Sequence, residues 1–272
     1  MTASYPQVAL MYDFDKTLST HDMLDYGFIP RLGYTPDDFW DKSARLAREG
    51  QMDRVLCYMY LMMQEAKAQG QPIRRETLHQ LGEEVQFFEG VSGWFDRINE
   101  LGRHLHLQVD HYIISSGLRE IIMGTDIARH FRMVYACDYL YDEQGNAQWP
   151  ATVVNYTGKT QYLFRINKGV LDVSNDLDLN RFTPEDERPV PFHNMIFFGD
   201  GMTDIPIMRL TKRGGGRSIA VYTQREDALP LYQQGRVDFI APADYRQGSS
   251  LDSYVTDALR DMSLRQALQR HE

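Results

Sequence analysis

The chain has 272 residues, enough for one large domain or for a core carrying an inserted module. Its composition, 43% hydrophobic and 25% charged, fits a globular protein and excludes extended disorder. A formal charge of −9 with no long basic run argues against a nucleic-acid or anionic-membrane partner, because such surfaces need clustered Lys and Arg.

The opening stretch MTASYPQ has no basic segment followed by an apolar core, and QVALMY (7–12) then reads as a strand. It stops at DFDKTL, where Asp13 and Asp15 stand one residue apart. Strand signals then disappear over residues 20–89, and three helical stretches follow one another. Thr35 and Pro36 supply an N-cap and a first-turn proline ahead of DDFWDKSARLAREG, with Gly50 as a stop. MDRVLCYMYLMMQEAKAQG and RETLHQLGEEVQFF carry the next two patterns. The Met and aromatic residues of 52–63 could line a pocket, but core packing is the simpler expectation, and the apolar run VLCYMYLMM is too short to span a bilayer. The only cysteines, Cys57 and Cys137, lack metal-ligand spacing and are too few for a secreted disulfide framework, so a reducing, cytoplasmic setting is expected.

Strands reappear at DHYIIS (110–115), RMVYA (132–136), MIFFG (195–199) and SIAVY (218–222), alternating with helical patterns. This is the signature of an α/β fold with a parallel sheet. CDYLYDEQGNAQWPATVV resembles a hairpin turning at QGNA. The strands at 7–12, 110–115 and 195–199 end at DFD, SSG and GDGMTD, and ligands of open α/β sheets bind beyond such carboxyl ends. One shared site is therefore expected.

Two carboxylates at a strand end are useful if one is a nucleophile beside a divalent cation and the other exchanges a proton with a leaving group. GDGMTD adds Asp200 and Asp204 as oxygen ligands for a hard cation. SSGLRE offers the hydroxyl of Ser115 and backbone N–H groups for a phosphate, and Lys159 in YTGKTQYLF could neutralise a phosphate oxygen. Each has a plainer reading. Strand-end Asp residues often cap turns, Ser115 with Gly117 could form a strand-to-helix corner, and a lysine opening a helix is often merely solvated. His104, His106 and His111 straddle a helix end and a strand and suggest surface or core roles.

DFDKTL, IISSG, a following lysine and GDGMTD, in that order, resemble the four motifs of haloacid dehalogenase-like (HAD) phosphohydrolases. The resemblance implies a Rossmann-like core over residues 1–19 and 90–272 and a type 1 helical cap over 20–89, similar to phosphoserine-phosphatase-like members. It further implies a Mg²⁺-dependent phosphatase acting on a small phosphorylated metabolite. Asp13 would form an aspartyl-phosphate, and Asp15 would act as acid and then base. Asp13, Asp200 and the main-chain carbonyl of Asp15 would hold the Mg²⁺, and Asp204 would be a ligand or lie just behind it. Ser115 and Lys159 would bind phosphate, with Lys168 as the other candidate lysine. Asp22 stands where phosphoserine phosphatases use a glutamate against the substrate amine, so it could meet a cationic ligand or simply cap a helix. The arginine that would hold a substrate carboxylate has no clear match, Arg54 lying earlier in its helix than expected. A stretch from LDVSND to PFHN, over residues 170–194, is longer than the family needs. The same fold hosts dehalogenases, phosphonate hydrolases and phosphomutases. The second Asp of DFD argues against the first two, and the intact set of motif acids argues against a non-catalytic binding protein, while a mutase or other phosphotransferase stays open.

Overall fold

The protein is described as a computed structural model over residues 5–269, so the first four residues of MTASYPQ lie outside the description. In chain order the elements are β1 (Gln7–Tyr12), α1 (Met23–Tyr26), α2 (Phe28–Arg31), α3 (Pro36–Gly50), α4 (Arg54–Ala68), α5 (Arg75–Leu81) and α6 (Val91–His104). There follow β2 (Gln108–Leu118), α7 (Arg119–Met123), β3 (Phe131–Tyr141), β4 (Ala147–Thr152), α8 (Lys159–Lys168) and α9 (Asp176–Asn180). The chain continues through β5 (Met195–Gly199), α10 (Ile205–Arg213), β6 (Arg217–Tyr222), α11 (Arg225–Gln233), β7 (Phe239–Pro242) and α12 (Ser250–Gln269).

The strands form one sheet in the order β4-β3-β2-β1-β5-β6-β7, antiparallel only between β3 and β4. A parallel strand covered on both faces is apolar throughout, and β1 obeys this rule: Val8 to Tyr12 are fully buried. Tyr12 stacks on Phe198 of β5, and its hydroxyl accepts a hydrogen bond from Trp94 Nε1. β1 pairs with β2 on one side and β5 on the other, so the crevice beyond its carboxyl end is where strand order reverses. That crevice receives the ends of the three strands marked by DFD, SSG and GDGMTD.

Helices α1 to α5 occupy the span between β1 and α6. Thr35 Oγ1 accepts from the Asp38 N–H and Pro36 opens α3, as its sequence suggests, while Gly50 is the last helical residue and Gln51 takes the left-handed cap. α3 turns Phe39, Ser43 and Ala47 inward, and α4 buries Val55, Tyr58, Met59 and Met62 among others.

Three local features differ from the sequence expectation. The third helical stretch stops at Leu81 and tightens into a 3-10 turn, because Gly82 lies against α7 so closely that a Cβ there would fall 2.4 Å from the Ile121 carbonyl oxygen. The hairpin turns over Asp142 to Asn146, held by Asp142 Oδ1 accepting the N–H groups of Gln144 and Asn146. β7, with four residues and a closing proline, is a short edge strand that carries no alternating pattern. The 170–194 stretch is threaded onto α8. Buried Arg165 donates to the carbonyls of Asp172, Val173 and Asn175, and Lys168 donates to those of Leu179 and Arg181.

Candidate active site

Asp13 follows β1 directly, and its N–H donates to the Phe198 carbonyl at 2.8 Å, which ties it to β5. Its Oδ1 accepts the Phe14 N–H at 2.8 Å and lies 3.0 Å from Lys159 Nζ. Lys159 is completely buried at the start of α8 and also donates to Asp204 Oδ1 at 2.6 Å. One ammonium thus bridges two carboxylates from opposite ends of the chain. Burial alone would lower its pKa, but Asp13 and Asp204 outweigh that and hold it above the ordinary lysine range.

Asp200 follows β5, and Asp204 caps α10 after a 3-10 turn. Carboxylate oxygens of Asp13, Asp200 and Asp204 lie within 4.8 Å of one another. Asp204 Oδ2 is buried with no hydrogen-bond partner among the described residues. It sits against the backbone of Gly199, where a Cβ would come within 2.3 Å of that oxygen. Burial, with the neighbouring acids, raises Asp200 well above the usual carboxylate range and lifts Asp204 to about 7. A buried all-oxygen set with an orphaned acceptor fits a hard divalent cation such as Mg²⁺.

Lys16, on the turn after Asp15, has a left-handed φ of 56°, which turns the chain sharply away from the strand. Asp15 Oδ1 accepts the Met23 N–H at 2.8 Å. Its other oxygen faces Gly117, where an added Cβ would fall 2.9 Å from it and 2.2 Å from Met23 Cε. Burial, then Asp22 and Asp13, push the Asp15 pKa well above the usual carboxylate range. Ser115 is fully buried, and its Oγ accepts the Gly117 N–H across an irregularity in the β2–β3 register. Ser116, the next residue, lines the open space beside the acids, and its hydroxyl has no partner. Lys168 is turned away onto the 170–194 stretch and does not approach the acids.

Asp22 precedes α1 but makes no side-chain cap bond; its Oδ2 lies 2.6 Å from Lys16 Nζ. Both belong to the wall of a cavity of about 480 Å³ between the acids and α3 and α4. Arg54 reaches this wall too, despite its early place in α4. The structure adds residues that sequence reasoning passed over. Tyr58 of α4 donates its hydroxyl to the Ser116 carbonyl at 2.7 Å. Asp53, which caps α4 through Oδ1, accepts Asn155 Nδ2 at 2.8 Å through Oδ2. Asn155 in turn accepts the Lys159 N–H through its carbonyl. The signal for Tyr58 was the aromatic and Met content of 52–63; nothing local singles out Asn155 or Trp40.

No family model matches the chain. An uncharacterized protein of Borreliella burgdorferi is 26% identical over 282 aligned positions, covering 93% of this chain and 96% of the relative. Among solved structures, a HAD family hydrolase of Salmonella enterica serovar Typhi superposes with a TM-score of 0.60 at 14% identity, covering 88% of this chain and 69% of that one. A phospho-aspartyl intermediate analogue of phosphoserine phosphatase gives 0.53 at 14% identity, covering 93% and 99% respectively. At such identities it is the architecture that is shared: this chain has the haloacid dehalogenase-like fold, in the form seen in phosphoserine phosphatases.

Proposed function

We propose that the protein is a Mg²⁺-dependent phosphatase that hydrolyses a small phosphomonoester through a phosphorylated Asp13. The observation that carries this reading is the fully buried Lys159 bridging Asp13 and Asp204, with Asp200 beside them. Asp13 Oδ1 is held by the Phe14 N–H and by Lys159, so the carboxylate is fixed with its other oxygen available to attack phosphorus. As the bond from phosphorus to the alcohol oxygen breaks, the protonated Asp15 gives its proton to that oxygen. Asp15, now a carboxylate, takes a proton from the water that attacks the phosphorylated Asp13, and inorganic phosphate leaves. Lys159 balances negative charge throughout, and the hydroxyls of Ser115 and of Ser116, which lines the open space, would hold phosphate oxygens. Asp13, Asp200 and Asp204, with the main-chain carbonyl of Asp15, would hold the Mg²⁺, which supplies positive charge against the crowded acids and the phosphate. Residues 20–89 would act as a cap that closes over the cavity and excludes water, favouring small metabolites over phosphoproteins.

The test is hydrolysis of an aryl phosphate by purified protein with Mg²⁺ and with EDTA, alongside Asp13→Asn. Chelation and the substitution should each abolish turnover; unchanged activity in either case overturns the mechanism.

A further inference from the structure

We propose that the leaving group is an uncharged, ring-bearing alcohol and that Trp40 is the residue that selects it. This rests on the phosphatase reading and goes beyond it to the alcohol half of the ester.

The cavity beside Asp15 and Ser116 is walled by Trp40, Tyr58, Met23, Leu24, Val55 and Met202. The polar ends of its two large cap-side aromatics are already committed elsewhere. Trp40 Nε1 donates to Asp25 at 3.2 Å and the Tyr58 hydroxyl to the Ser116 carbonyl. What they present to the cavity is therefore ring surface, set edge to face with centroids 5.8 Å apart. The charges on the wall do not suit an alcohol that carries an ammonium group. Asp22 is neutralised by Lys16 at 2.6 Å, so a substrate amine would have to displace an existing ion pair. Arg54 reaches the same wall, and its positive charge there opposes a substrate ammonium. An apolar ring gains burial against these walls and meets no unpaired acid.

The comparison that isolates this uses esters of similar aliphatic alcohols, so that leaving-group chemistry is matched: 2-phenylethyl phosphate, phosphocholine, O-phosphoserine and ethyl phosphate. The wild-type kcat/KM should be highest for 2-phenylethyl phosphate, by about tenfold or more over the two charged esters. Trp40→Ala should lower that value about ten- to a hundredfold and change ethyl phosphate, too short to reach the ring, by less than about threefold. Trp40→Phe should recover most of the loss, because it restores a ring without the bond to Asp25. A preference for phosphocholine or O-phosphoserine, or an equal loss on ethyl phosphate in Trp40→Ala, overturns the inference while leaving the phosphatase reading standing. Failure to hydrolyse any of the four overturns that reading, and the inference with it.

Discussion

Replacing Lys159 by Met keeps most of the side-chain volume and removes the one cation buried between Asp13 and Asp204. The ammonium lies 3.0 Å from one carboxylate and 2.6 Å from the other. At an effective dielectric of about 20, each contact is worth about 6 kcal/mol before desolvation is counted. Dehydrating the lysine cancels much of this, so the net loss expected for breaking a buried pair, about 3–5 kcal/mol, is the appropriate figure. For a domain of this size that lowers Tm by roughly 6–20 °C. The loss should depend on pH. Asp204 has a folded pKa raised to about 7, so it takes up a proton on folding and favours the folded state below that pH, a contribution lost as pH rises through it. Without Lys159 it keeps its proton to still higher pH, and the neutral acid no longer needs the cation. The deficit of Lys159→Met should therefore be larger at pH 8 than at pH 6, and Mg²⁺ should recover part of it at pH 8. Thermal unfolding in EDTA and in Mg²⁺ at both values tests this. A variant within about 2 °C of wild type in EDTA at pH 8, well short of the shift expected for a broken buried pair, would refute the reasoning.

Gly117→Ala puts a methyl group into Met23 and the free oxygen of Asp15, so it should cost about 1–3 kcal/mol of stability and roughly a hundredfold in kcat; full activity on an aryl phosphate would show that Asp15 is not positioned this way. His111 is buried, and burial lowers its pKa to about 3, so the unfolded chain binds its proton first and the stability it contributes is lost as pH falls below about 6.5. Urea unfolding of wild type should lose about 2 kcal/mol more than His111→Gln between pH 6.5 and pH 5, and equal slopes would contradict the neutral, buried histidine.

The places of the main parallel strands along the chain and their chemically pointed ends can be read from the sequence because a doubly covered parallel strand must be apolar throughout and must end where polar residues resume. QVALMY before DFD and MIFFG before GDGMTD satisfy both conditions locally. Lys159 was readable as a candidate but not as a bridge, since its two partners lie in Asp13 and Asp204, far away in sequence. The cavity wall was harder to read. Trp40 looks like any aromatic on the inner face of a helix, and only the packing of α3 on α4 turns it toward the acids. Asp22 is readable from the sequence as either a substrate-side residue or a helix cap, and its partner Lys16 depends on a left-handed backbone turn that the sequence does not announce. The 170–194 stretch stands out in the sequence by its length alone; Arg165 and Lys168, which hold its carbonyls from α8, act across positions the sequence does not link.

The central position of β1 also governs when the site can exist as the chain is made. Ala9 pairs with Asp110 on one side and with Met195 on the other, so the first strand synthesised waits for neighbours that emerge much later. Until β5 arrives, the apolar row from Val8 to Tyr12 has an open edge, and the Asp13 N–H lacks the Phe198 carbonyl that fixes it. Such late, distant pairings fold slowly and leave a sticky intermediate on a ribosome-bound chain. A chain interrupted before residue 195 would lose Asp200, Asp204 and the Phe198 carbonyl that seats Asp13 together. The site should therefore form in a single step once β5 and GDGMTD have emerged, and a shorter product should be a client for chaperones.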